Sequence, residues 1–109
     1  MTNTNGNNKE AIVPIIAISG APSREEYEAV LGNIDLDHRP AGWLVHAATQ
    51  LPDCSVQVVD IFDSQESMDT FGAQLVLPSF DKAGVDARDR RPPAAHETFA
   101  YHGPAPVRA

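Results

Sequence analysis

The chain has 109 residues, enough for one domain with one modest core. Eight Lys and Arg stand against fifteen Asp and Glu, a formal charge of −7, which repels phosphate backbones and anionic membranes and argues against nucleic acid or a lipid surface as partner. A single cysteine, Cys54, rules out an intrachain disulfide, and with no 18-residue apolar run and no basic n-region the sequence points to a cytoplasmic soluble protein.

In chain order, residues 1–10 are rich in Asn and Thr and read as a disordered lead. Residues 11–19 form a short β-branched apolar run, read as a buried strand with Pro14 near its start. Ser23-Arg24-Glu25-Glu26 is a helix-capping pattern, and Tyr27, Val30, Leu31 and Ile34 recur behind it at helical spacing as one apolar stripe. Residues 42–50 and 55–62 read as strands joined through Leu51-Pro52-Asp53-Cys54, a β-hairpin. Asp63 or Ser64 can cap the next helix, whose inward stripe is Met68, Phe71 and Leu75, and Pro78 should break or kink it before an end near Gly84. Residues 85–93, with Arg88, Arg90 and Arg91, read as a solvated connection; residues 96–102 read as the last strand, and 104–109 as a loose tail.

The order β-α-β-β-α-β predicts an α+β domain over residues 11–103: a ferredoxin-like four-stranded antiparallel sheet with two helices on one face. The three early strands carry apolar residues at both parities, so both sheet faces want cover. A second subunit on the free face, hence a homodimer joined sheet to sheet, is the simplest cover.

Two polar residues sit inside apolar strands. With a three-residue hairpin loop, Leu51 opposite Ser55, His46 falls across from Asp60 on one face; a loop one residue longer or shorter sets His46 against Val59. In register, Asp60 can orient the imidazole and leave its other nitrogen for acid–base work. The alternative is that the two residues only satisfy each other within the sheet. Tyr27, Trp43, Phe71 and Leu75 are candidates to line a pocket between helices and sheet, with core packing as the other reading of Tyr27 and Trp43. His96 and His102 lie on the last strand, where one of them, His96 in particular, could face the cavity and the alternative is a surface histidine at the strand end. Phe99 and Tyr101 are expected to pack. Asp35, Asp37 and His38 lack a ligand spacing, so no metal is expected.

Several segments resemble the dimeric α/β-barrel superfamily, in particular its small antibiotic-biosynthesis-monooxygenase-like members. Gly42-Trp43-Leu44-Val45-His46-Ala47-Ala48 is similar to their second strand. Val58-Val59-Asp60-Ile61-Phe62-Asp63-Ser64 resembles the V-V-D-V-W-E-S run from third strand into second helix, and Leu77-Pro78-Ser79-Phe80 the L-x-P-x-L that closes that helix. The resemblance implies a sheet-to-sheet dimer forming an α/β barrel, and a range of activities that includes cofactor-independent monooxygenases and cyclases of polyketide biosynthesis, isomerases and haem-degrading enzymes. The haem-degrading members use an Asn, a Trp and a His in set places; here Trp43 lies on the second strand and no His lies on the second helix. The expectation is therefore a small-molecule enzyme without a tightly bound cofactor, moving protons on an apolar, aromatic or polyketide-like substrate. The rival expectation is a non-catalytic ligand-binding or dimerisation module.

Overall fold

The computed structural model describes residues 13–86, 88, 90 and 92–103, so the expected lead (1–10) and tail (104–109) lie outside the described residues. Strand β1 spans Ile15–Ala21, helix α1 Arg24–Leu31, strand β2 Trp43–Gln50 and strand β3 Val56–Phe62. Helix α2 spans Gln65–Phe71, continues through a π-wound turn, Gly72–Val76, into helix α3, Leu77–Ala83, and strand β4 spans Ala94–Glu97. The four strands form one antiparallel sheet in the order β2-β3-β1-β4, the expected ferredoxin-like α+β arrangement. Among the described residues no helix is long and apolar enough to cross a membrane.

The local chemistry explains most boundaries. Ser23 caps α1 by accepting from the Glu26 amide at 3.1 Å, and Ser64 caps α2 by accepting from the Ser67 amide. α1 stops at Leu31 rather than running on to Ile34; Ile34 is nevertheless buried, in the turn that follows. Pro78 does not break the second helix. Its missing N–H and its ring would disturb the carbonyl four residues back, and the backbone accommodates this by widening just ahead of it: the Leu77 amide bonds the Gly72 carbonyl, five residues back. Gly84, at φ 74°, ends α3 in the left-handed conformation.

The hairpin loop has three residues. The Leu51 amide bonds the Ser55 carbonyl at 2.8 Å and Cys54 takes φ 72°, so β2 and β3 pair with His46 opposite Asp60. At the other end of β2 the register steps between Trp43 and Val45, where Leu44 is a bulge. Residues opposite one another share a face. The helix-side face therefore carries the rows Trp43–Phe62–Ile15 and His46–Asp60–Ala17. Trp43, Phe62, Ala17 and Ile34 form a buried cluster on that side, closed by Leu31, Met68, Phe71 and Leu75. The opposite face carries Val45–Ile61–Ile16 and Ala47–Val59–Ile18, apolar rows that lie away from both helices, with Ile18 37% exposed.

The last strand differs from its expected span. β4 covers Ala94–Glu97 rather than residues 96–102, and just beyond it the Thr98 amide and hydroxyl both bond the Pro14 carbonyl at 2.9 Å. Thr98 is the next residue in register with Pro14, and the ladder ends there because Pro14 has no N–H to return. His102 lies outside any strand, and Phe99, expected to pack, is fully exposed.

Candidate functional site

Between α1, the second helix and the sheet lies a cavity of about 480 Å³, mainly apolar, whose polar lining includes Tyr27, His46, Asp60, Asp69, Glu26 and Arg90. Its centre is a chain of four side chains from three elements. Asp60 Oδ1 accepts from the Trp43 indole Nε1–H at 2.9 Å and shares a 2.7 Å bond with His46 Nδ1; His46 Nε2 in turn lies 2.7 Å from the Tyr27 hydroxyl. The His46 and Asp60 side chains are only 8% and 9% exposed, so these bonds sit largely out of water. A carboxylate has no hydrogen to give, so the proton of the His46–Asp60 bond is carried by Nδ1. In the neutral ring that leaves Nε2 as acceptor, and the Tyr27 O–H donates to it. Burial first, then the negative charges of Asp60 and Glu28, push the Tyr27 phenol above its ordinary value of 10.0, which keeps it protonated at neutral pH.

The ring geometry locks this chain. The Tyr27 and His46 rings are parallel within 6° with centroids 6.0 Å apart, while Trp43 meets His46 edge-on at 5.5 Å. Behind them Phe71 packs on Trp43 at 4.3 Å and on Phe62 at 5.2 Å. The arrangement has the connectivity that a proton relay needs: a group giving a proton to the Tyr27 oxygen would let the phenolic proton pass to His46 Nε2, with Asp60 placed to balance an imidazolium.

Of the residues singled out in the sequence, His46, Asp60, Tyr27 and Phe71 line this cavity. Trp43 and Leu75 line instead a neighbouring recess of about 280 Å³, between the second helix and the loop through Pro40 and Gly42; Phe71 borders both spaces. His96 is not at the site. It pairs with Ile16 on the opposite sheet face, because β4 is aligned on β1 so that Ala95 and Glu97, not His96, share the helix-side parity. Sequence reasoning misses three things. Spacing alone groups Tyr27 with packing residues, although a phenol at the head of an inward stripe facing a strand histidine is the signal for a polar contact. Trp43 donates to Asp60 only because the Leu44 bulge turns Trp43 and His46, three residues apart, to the same face. Glu26, read as a capping acid, sends its carboxylate to Arg90, which is held against α1 at the cavity wall rather than in a solvated linker. Among the described residues no group of three or more His, Cys, Asp and Glu is placed to hold a metal ion.

No family model and no curated protein sequence matches the chain. The chain is similar to a solved structure from Chloroflexus aurantiacus J-10-fl that carries the provisional name antibiotic biosynthesis monooxygenase. It is 17% identical, superposes with a TM-score of 0.53, and the match covers 89% of this chain and 100% of that one. At that identity the likeness speaks for the fold, the ferredoxin-like arrangement of that structure, and leaves the chemistry to the site.

Proposed function

We propose that the protein is a small-molecule enzyme that moves protons on an apolar, aromatic or polyketide-like substrate bound between the helices and the sheet, with His46 and Asp60 as the catalytic pair and Tyr27 as the group that meets the substrate. The single observation that carries this reading is the Tyr27–His46–Asp60 chain opening on a cavity large enough for a ligand of that size. A phenolic or enolic O–H of the substrate gives its proton to Tyr27 Oη as the tyrosine proton moves to His46 Nε2. The substrate anion then reacts with oxygen, cyclises or isomerises, and the imidazolium returns the proton. The name of the Chloroflexus protein favours the first of these outcomes. The open apolar sheet face supports a homodimer, joined through Val45, Ile61, Ile16 and their neighbours.

The test is a screen of phenols and 1,3-diketones for oxygen uptake and for deuterium exchange at the acidic carbon. The expected result is at least one substrate class whose turnover drops about 10²- to 10⁴-fold in His46→Ala and in Tyr27→Phe. Full activity in both variants would sink the catalytic assignment. A non-catalytic ligand-binding module is the second reading, favoured by the fact that His46 already has protein partners at both nitrogens. It predicts ligand binding with no turnover across the whole screen.

A further inference from the structure

Asp60 is buried to 7% exposure and lines the cavity, and both of its hydrogen bonds fall on one oxygen. Trp43 Nε1–H and His46 Nδ1 meet at Oδ1, and among the described residues Oδ2 has no hydrogen-bond partner. A bare carboxylate oxygen in such a place is expensive, and native proteins answer it with a donor from water or a ligand. The charge around it is negative. Asp60, Asp69 and Glu26 line the same cavity, and Arg90, the one Lys or Arg among its described lining residues, is bonded to Glu26 through Nε and Nη2. An anionic head would meet repulsion there, whereas an O–H or N–H would complete Asp60.

We propose that the cavity selects non-anionic ligands that donate an O–H or N–H hydrogen bond to Asp60 Oδ2, so that Asp60 both steadies His46 and recognises the ligand. The inference rests on the cavity of the proposed enzyme and names its substrate class further: beside the acidic group that meets Tyr27, the substrate carries a second hydrogen-bond donor. Trp43 is then a positioning residue, because its indole bond keeps both internal contacts on Oδ1 and leaves Oδ2 for the ligand.

The probes are 4-propylphenol, 4-propylanisole and 4-propylbenzoate, which share an apolar body and differ only in the head. Their affinities for the full chain are measured by isothermal titration calorimetry. The phenol is expected to bind about tenfold tighter than the anisole, the lower end of what a hydrogen bond to a charged group contributes, with the benzoate weakest. The preference is expected to persist in Tyr27→Phe, which leaves Oδ2 intact. In Asp60→Asn it should vanish. The amide oxygen keeps the Trp43 and His46 donors, and an N–H takes the place of Oδ2; phenol and anisole oxygens both accept from it, so the phenol loses its advantage and the benzoate gains most. Equal affinities for phenol and anisole in the wild type overturn the proposal, as only solvent then meets Oδ2. Loss of the preference in Tyr27→Phe also overturns it, placing the contact on the tyrosine. If Asp60→Asn does not fold, the Tyr27→Phe comparison decides alone. None of these readouts requires turnover, so the acid–base reading can fail by its own screen while this one stands, and the reverse.

Discussion

Tyr27 joins the stability of the fold to the chemistry of the site. Its phenol is raised above 10.0 by burial and by the Asp60 and Glu28 charges, so the folded state holds its proton more tightly than the unfolded chain does. The stabilisation is fully present below pH 10.0 and is lost as pH climbs through the higher folded value. Tyr27→Phe removes the hydrogen bond to His46, at about 1 kcal/mol near neutral pH, and with it this alkaline loss. Urea midpoints followed from pH 8 to pH 11 should therefore fall more steeply in the wild type than in Tyr27→Phe; parallel slopes would mean that Tyr27 titrates as a free phenol. At this scale the His46–Asp60 placement is legible in the sequence once the loop has three residues, because a period of two then fixes which strand residues oppose; the loop length itself comes from the structure. The Tyr27 contact is not, because the approach of a helix to a sheet is set by packing across 19 residues of sequence rather than by spacing.

Among the elements, β2 shows where pattern reading reaches its limit. Strict alternation puts Trp43 with Val45 and leaves His46 on the other face; the Leu44 bulge reverses this, and no Gly or Pro marks it in the sequence. What answers the bulge lies outside the strand. Arg39 donates to the Trp43 carbonyl at 3.3 Å, to the Leu44 carbonyl at 3.2 Å and to the Leu36 carbonyl at 3.0 Å, with its guanidinium 5.6 Å from the Trp43 ring centroid. One planar fork thus serves the carbonyls that the interrupted ladder leaves over. Arg39→Ala is expected to cost about 1 kcal/mol in a thermal or urea melt. It should also change the emission of Trp43, the sole tryptophan, as its indole loosens from Asp60. An unchanged spectrum with unchanged stability would show that the bulge is held by β3 and the core alone. Pro78 teaches the same limit: a proline in a helical pattern predicts a disturbance, but the sequence does not say whether the backbone breaks or widens.

For the whole molecule, the open sheet face is where the proposed homodimer would join. The order β-α-β-β-α-β and the apolar residues at both strand parities are legible in the amino-acid sequence, and together they imply both the fold and the uncovered face. The short β4 and the exposed Phe99 are not, because the ladder stops at the Thr98–Pro14 pair, where Pro14 returns no N–H, and that pairing joins residues 84 apart. Four strands at about 4.8 Å spacing, four to eight residues long, offer a face of roughly 400 Å². That is less than the ~800 Å² per partner of a standard stable interface, so the sheet alone supports a dimer that dissociates on dilution unless its margins contribute. Val59 stands opposite Ile18 and Ala47, at the middle of the apolar rows. Val59→Lys should give a monomer by light scattering, with circular dichroism unchanged, because a charge buried between two copies meets its own image across the two-fold axis. A wild-type chain that stays monomeric at high concentration would sink the sheet-to-sheet dimer and leave this face to a different cover; a dimer indifferent to Val59→Lys would move the interface to another surface.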